Sequence, residues 1–554
     1  MAIMISQYTF IANESSSILQ KCLDKGYFVL AKNYKGDLKD RQVSYLPLSY
    51  ALKDTVEEPA TSSQEGTDTG TKTKARPVSD GSHRANLHTP SVNEALVPIP
   101  DLWTGKIQHL LLKFRTAQRL AIGDISQYYH RLRLDLTSVS MTRAIWREHG
   151  IGGTGELTTM IIPSASMGLT PVPALASHCR ARTASMVKDD IAKTSLEESY
   201  VDDIYQPTIW TSPEEPRSRP EPDKVLIERI DQVEKALTKA QLQLGGSGWI
   251  TDIEHDTLPK GRKGITGVTD TMAHRDVGVS TTGALGLRWN LGKSLPDGGT
   301  FSYRVHRPGS INLLPKKRGQ RPPHGEMRSR ADIKDYLRKN GLTKAGLLRL
   351  VMNLFDVLQL AVPWTATAKL LYREVLTENP GLGWKEKIPV KYFTKIENLA
   401  TDLLQLSTTQ AFPRRAVHMG PDGTIGHLTL ILAHDANAES ACVLAYIHQQ
   451  WPRDSVMMPS SVTGKSTAID ETKITTKVSL LCGSHKLAEH GHEEQVASEL
   501  LSATIAVKLK KVIFERKCLF AHSVCANFSL IAHSVCANFG LIAHSPVYSV
   551  ILLK

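Results

Sequence analysis

Tyr200-Val201-Asp202-Asp203-Ile204-Tyr205 sets two adjacent carboxylates between pairs of β-favouring residues, the pattern of a tight hairpin with acids at its tip. Adjacent acids in a turn are often only solvated, so the pair takes its meaning from what the rest of the chain brings to it. A site for divalent cations needs carboxylates converging from separate strands, because hard cations take oxygen ligands from several directions. Upstream, Leu120-Ala121-Ile122-Gly123-Asp124-Ile125 is an apolar strand running into an acid, followed by Ser126-Gln127-Tyr128-Tyr129-His130. Alone, this is a strand-end Asp beside a core tyrosine; with the hairpin it supplies a third carboxylate.

Between the two lies Pro163-Ser164-Ala165-Ser166-Met167-Gly168-Leu169-Thr170-Pro171-Val172-Pro173-Ala174, a loop entering a helix, in which Gly168 permits close backbone approach. The same Gly and Pro residues would also serve simply to punctuate a loop. Before it comes Lys74-Ala75-Arg76-Pro77-Val78-Ser79-Asp80-Gly81-Ser82, whose Arg76 offers a planar fork suited to phosphate, although an Arg-Pro pair by itself carries no such meaning.

In order and spacing these four elements resemble the core of reverse transcriptases. The resemblance implies a right-hand polymerase in which Asp124, Asp202 and Asp203 are catalytic and bind Mg²⁺ or Mn²⁺, and Tyr129 blocks the ribose 2′-hydroxyl. It also implies that Met167 and Gly168 lie under the incoming nucleotide and template base, and that Arg76 contacts the triphosphate. Met167 departs from the Gln usual in retroviruses. More narrowly, Tyr45-Leu46-Pro47, Ser91-Val92-Asn93-Glu94-Ala95-Leu96, Leu285-Gly286-Leu287-Arg288-Trp289 and Leu354-Phe355-Asp356-Val357-Leu358, with Pro363 and Lys369 behind them, resemble ordered landmarks of Pao/BEL-type LTR retrotransposons.

Further on, Leu428-Thr429-Leu430-Ile431-Leu432-Ala433-His434-Asp435 and Cys442-Val443-Leu444-Ala445-Tyr446-Ile447 read as two strands. They resemble the opening hairpin of the ribonuclease H fold in Pao-type elements, which makes Asp435 its first metal-binding acid. The Pro-Arg pair and the Glu that the family places on the next helix are missing, since Asp470-Glu471-Thr472-Lys473-Ile474-Thr475-Thr476 passes directly into Lys477-Val478-Ser479-Leu480-Leu481. Loss of ribonuclease H activity is therefore expected, with His434, His485 and His490 on the surface.

The expected fold is α+β and multidomain: fingers, palm and thumb, a connection region and a truncated ribonuclease H-like α/β domain. Its expected parts are an N-terminal fingers-side segment with a flexible insertion (1–73), fingers and palm (74–250), thumb and connection (251–404), a degenerate ribonuclease H-like domain (405–495) and a divergent tail (496–554). A chain of 554 residues exceeds what one core holds, and 41% hydrophobic with 22% charged residues is an ordinary globular balance. Lys224 to Leu244 carries Ile227, Ile230, Val233, Leu237 and Leu244 on one helical stripe, with Gly245-Gly246 as its C-terminal cap. A second helical stretch begins near Arg330, breaks at Gly341 and resumes at Thr343. In the tail the eleven residues from Ala521 to Ile531 repeat from Ala532 with Ser529 replaced by Gly540, and two His-x-x-Cys units are too few for a solenoid and lack zinc-finger spacing.

A net charge of +12 suits a polyanionic partner, and the resemblance makes those partners an RNA template, a DNA primer or hybrid, and dNTPs. The seven cysteines form no CxxC pairs, and the chain carries neither a signal pattern nor an apolar run long enough for a bilayer. An intracellular setting is expected, which the resemblance makes cytoplasmic virus-like particles or the nucleus, with no membrane partner. The functional expectation is an RNA-directed DNA polymerase fragment of a retrotransposon; the alternative is an inactive retroelement relic or nucleic-acid-binding protein that keeps the fold.

Overall fold

A computed structural model describes residues 17–36, 43–55, 72–96 (except 85 and 87), 106–147, 156–208, 221–259, 263–268, 281–291 (except 286), 298–303, 328–418 (except 355 and 410), 426–436, 440–452, 474–487, 501, 504–509, 529–534 and 549–551. The chain forms two compact units, one of residues 1–104, 123–205 and 229–249, the other of residues 105–122, 206–228 and 250–554.

In the first unit, helix residues from 17 onward end at Gly26, whose φ of +65° is open to glycine without strain. The chain then enters β1 (Val29–Leu30), which pairs antiparallel with β6 (Leu157–Ile161), itself paired with β5 (Arg143–Arg147). Leu19, Cys22, Tyr27 and Phe28 are buried against Ala144, Met160 and Ile162. β2 (Leu48–Thr55) and β3 (Lys72–Ser79) form an antiparallel ribbon.

A four-stranded sheet has the order β7-β4-β8-β9, from β4 (Arg119–Ile125), β7 (Asp203–Thr208), β8 (Leu244–Glu254) and β9 (Ile265–Val268). The expected helix before β8 runs Pro222–Lys239 and buries Leu226, Ile230, Val233, Ala236 and Leu237, so Leu226 takes the place that the sequence stripe gave to Ile227. Its predicted cap is corrected: Gly245 and Gly246 are strand residues of β8, and the chain turns earlier, at Gln241 with φ of +58°. The helix ends at Lys239, before Leu244, and Gly245 answers a steric need in the sheet instead, whereas nothing crowds Gly246.

The second unit holds a four-stranded antiparallel sheet, β10 (Thr281–Ala284), β11 (Leu287–Asn290), β12 (Thr300–Tyr303) and β13 (Ala411–Pro413), in that order. Trp289 on β11 is fully buried, and the Asp356 carboxylate accepts from Leu360 N, Ala361 N and the Tyr303 hydroxyl, so two of the landmark segments are structural joints. Ser329 caps the Arg330–Asn340 helix, Gly341 ends it with φ of +69°, and Thr343 caps the Lys344–Val351 helix, the predicted break. Helices Val362–Glu378 and Phe393–Thr409 follow.

A five-stranded sheet closes this unit in the order β16-β15-β14-β17-β18. β14 (His427–Ala436), β15 (Ser440–Pro452) and β16 (Ile474–Leu487) are antiparallel, and β17 (Ser529–Ser534) runs parallel to β14 beside β18 (Ser549–Ile551). β17 comes from the tandem repeat, most of which lies outside the described residues. Gly483 N donates to Leu358 O at 2.7 Å, and a Cβ on Gly483 would meet the Gln359 carbonyl at 2.5 Å, so only glycine lets the chain approach β16 so closely here. His434 and His485 are buried, not on the surface as expected, because they fall on strands of this sheet; His490 lies outside the described residues. Burial, with Lys369 and Arg373 nearby, holds His485 down at about 4 and hence neutral at pH 7. Among the described residues no helix is long and apolar enough to cross a membrane.

Candidate active site

The acidic turn closes on itself, with Tyr200 N donating to Asp203 O at 3.0 Å and Asp203 N to Tyr200 O at 2.8 Å, leaving Val201 and Asp202 at the tip. Val201 has φ of +50°, an uncommon conformation that a β-branched side chain resists. The tip is tied to β4 by Ile125 N donating to Asp202 O at 2.8 Å, and β4 is tied to the start of β8 by Ser126 N donating to Gln243 O at 2.8 Å. Asp124 is the penultimate residue of β4, exposed between buried Gly123 and Ile125.

One carboxylate oxygen each from Asp124, Asp202 and Asp203 lies within 4.8 Å of the others, and this is the only such acid, His or Cys group of three or more among the described residues. Two like charges at that separation repel by about 3 kcal/mol at an effective dielectric near 20, a cost that a divalent cation would relieve. Gly245 leaves the space for it: a Cβ there would meet Asp124 Oδ2 at 3.1 Å, and Gly123 likewise faces the Trp249 ring at 3.1 Å. Tyr205, fully buried two residues after Asp203, is kept protonated first by burial and then by the carboxylates of Asp203, Asp202 and Asp124. Tyr129 is half-buried, and burial followed by Asp202 and Tyr200 pushes its hydroxyl up to about 12, so the residue expected at the sugar sits in the field of the acidic turn.

Met167 and Gly168 are joined to the end of β3. Ser79 N donates to Met167 O at 3.0 Å, Ser79 and Ser166 share a hydroxyl hydrogen bond at 2.5 Å, and Asn93 donates to Gly168 O while accepting from Thr170 N. Gly168 has φ of +104°, and a Cβ would lie 1.8 Å from Ser79 O, so no other residue fits this crossing. Arg76 belongs to β3 opposite Ala51, and Asp435 to β14 opposite Cys442; both side chains lie outside the described residues. Thus the three acids and Tyr129 come together, while Met167 and Gly168 meet β3.

Sequence reasoning missed Gly245, taken for a helix cap, and Arg180. The latter stands on the Val172–Ala184 helix among Ala, Ser and Thr with no apolar stripe to mark its buried face; an arginine flanked by small residues is the signal that could have found it.

His130, next to Tyr129, stacks on Tyr27 with ring centroids 5.2 Å apart and is 8% exposed. Burial lowers it to about 4, below the unfolded value near 6.5, so the unfolded chain takes the proton first and stability falls as pH drops from about 6.5 to about 4. His130→Phe is expected to lose less melting temperature than the wild type between pH 7 and pH 4.5; parallel losses would show that His130 is not a source of the acid lability.

Residues 343–475 match the family model of the Pao retrotransposon-like RNaseH-like domain. Three solved structures of the foamy viral protease-reverse transcriptase are similar to the chain. The complex with an RNA/DNA hybrid is 11% identical with a TM-score of 0.43, the match covering 94% of this chain and 48% of that one. The dRH form with dsDNA is 11% identical with a TM-score of 0.45, covering 94% and 61%. The complex with dsDNA is 12% identical with a TM-score of 0.41, covering 94% and 74%. The chain spans 48% of the length of the first of these and 61% of the second. No curated protein matches the sequence.

Proposed function

We propose that the chain is the RNA-directed DNA polymerase of a Pao/BEL-type retrotransposon, extending a DNA primer on an RNA template with dNTPs. The convergence of Asp124, Asp202 and Asp203 within 4.8 Å at the meeting of a strand end and a tight turn carries this reading. Three carboxylates form a hard, anionic oxygen set that fits Mg²⁺ or Mn²⁺ better than a softer metal. When bound, such cations supply Lewis acidity to the attacking 3′-hydroxyl and neutralise charge on the triphosphate.

The chain's own residues do the rest by position. Asp124 faces solvent, where a ligand can enter, while Asp202 and Asp203 are half-buried and fixed through the backbone of their turn. Tyr129 is the residue that the resemblance makes the sugar gate, and the upward shift of its hydroxyl keeps it neutral beside a polyanion. The net charge of +12 favours binding of the template and primer. Primer extension on a homopolymer RNA template with Mg²⁺ or Mn²⁺, compared between wild type and Asp202→Asn, tests the reading; equal extension by both, or none by the wild type, would sink it.

The same reading assigns no ribonuclease H activity to this chain, since the Glu that the resemblance expects on the helix after Asp435 is missing and two-metal cleavage of a hybrid needs several carboxylates. A labelled RNA strand in an RNA/DNA hybrid is expected to stay intact under conditions that support extension, and release of ribonucleotides would overturn the assignment.

A further inference from the structure

We infer that Arg180 is the positioning residue of the acidic turn, holding the strained Val201 backbone so that Asp202 is aimed at the cation site; this rests on the polymerase reading of that site. Arg180 is 1% exposed on the Val172–Ala184 helix. Its Nη1 donates to Val201 O at 2.8 Å and its Nη2 to Glu197 O at 3.4 Å. The second carbonyl belongs to the last turn of the Asp190–Glu198 helix, where backbone dipoles favour a cation. One planar fork therefore ties a helix terminus to the tip of the turn.

Three observations make this more than packing. Val201 at φ of +50° is a conformation that strains a β-branched residue and persists only where its surroundings hold it. The Asp202 peptide is gripped from the other side by Ile125 N at 2.8 Å, so the turn is clamped between β4 and Arg180 and has little freedom to move its carboxylate. A neutral donor would satisfy the Val201 carbonyl without burying a charge, yet the chain places a guanidinium here, and Asp202 is among the groups that support its charge against burial. Arg180 thereby steadies the acids before a cation arrives and leaves them geometrically ready to receive one.

Manganese binding measures this without polymerisation. Free Mn²⁺ is followed by electron paramagnetic resonance on the full chain for wild type, Asp202→Asn, Arg180→Lys, Arg180→Gln and the double variant Arg180→Lys/Val201→Gly. Lys can reach one carbonyl but not both, and Gln keeps a donor without the charge, so each is expected to weaken Mn²⁺ binding about tenfold or more. In primer extension the Mn²⁺ midpoint should rise by a similar factor, with the rate largely restored at saturating metal; a merely structural role would lower the rate at every concentration without moving the midpoint. Glycine takes the φ of Val201 without strain, so Val201→Gly should recover part of the loss in the Arg180→Lys background. Wild-type Mn²⁺ affinity in both Arg180 variants, a rate loss with no midpoint shift, or a double variant no better than Arg180→Lys would each overturn the inference, as would failure of both single variants to keep the wild-type circular dichroism. A wild type that binds Mn²⁺ through Asp202 yet extends no primer would instead overturn the polymerase reading and leave the role of Arg180 to the binding data.

Discussion

Asp202→Asn is expected to slow single-turnover primer extension by about a thousandfold or more, equivalent to roughly 4 kcal/mol of lost transition-state stabilisation. The substitution is nearly isosteric. The turn's hydrogen bonds run through the backbone of Tyr200, Asp203 and Asp202, so its shape should survive. What is lost is one of three negative charges gathered within 4.8 Å. In the absence of metal, removing a like charge should leave the melting temperature unchanged or slightly raised, which separates a chemical defect from misfolding. Extension within about tenfold of wild type, at matched metal, would show that Asp202 does not ligate the reacting cation.

Asp252→Ala is expected to cost about 3–5 kcal/mol of stability in the second unit, a large share of the 5–15 kcal/mol typical of a folded domain. Asp252 and Arg414 have no exposed side-chain surface, and Arg414 Nη2 lies 2.8 Å from Asp252 Oδ2, which Arg415 Nη2 also reaches at 3.3 Å. The other carboxylate oxygen accepts from Leu120 N at 2.9 Å. Arg414 also donates to the carbonyls of Phe114 and Ala117, at 2.6 and 3.0 Å. Alanine would leave two buried cations without their anion and a buried N–H without its acceptor. Burial already draws Arg414 down to about 9, which marks how much of its charge depends on that neighbour. Its guanidinium lies 6.0 Å from the Trp289 ring centre, so urea unfolding followed by tryptophan fluorescence reports on the site. Asp252→Asn, which keeps an acceptor for Leu120, should fall between; a midpoint for Asp252→Ala equal to wild type would mean that the cluster contributes nothing net.

The three acids were legible in the sequence because the strand into Asp124 and the hairpin around Asp202 and Asp203 each carry a local pattern, and their order gave them a common meaning. Glycine was harder. Gly245-Gly246 followed a helical stripe and so read as a cap, whereas the steric demand at Gly245 comes from Asp124 on a neighbouring strand. Asp252 left no local trace and Arg180 only its small neighbours, since what defines each is a partner elsewhere in the chain: Val201 for one, and for the other Arg414, at a separation of 162 residues. The histidines failed for a related reason. A strand tells which residues alternate but not whether both faces of its sheet are covered, and the faces bearing His434 and His485 are.

The pairing of Asp252 with Arg414 and Arg415 also bears on how such a gene can decay. A premature stop anywhere between them would deliver a chain whose Asp252 lacks both Arg414 and Arg415, even if the three clustered acids upstream were intact. Lesions beyond residue 415, including reshuffling of the repetitive tail, carry no such penalty from this cluster. The chain is therefore under a folding constraint as far as residue 415, well past Asp203, the last of the three clustered acids.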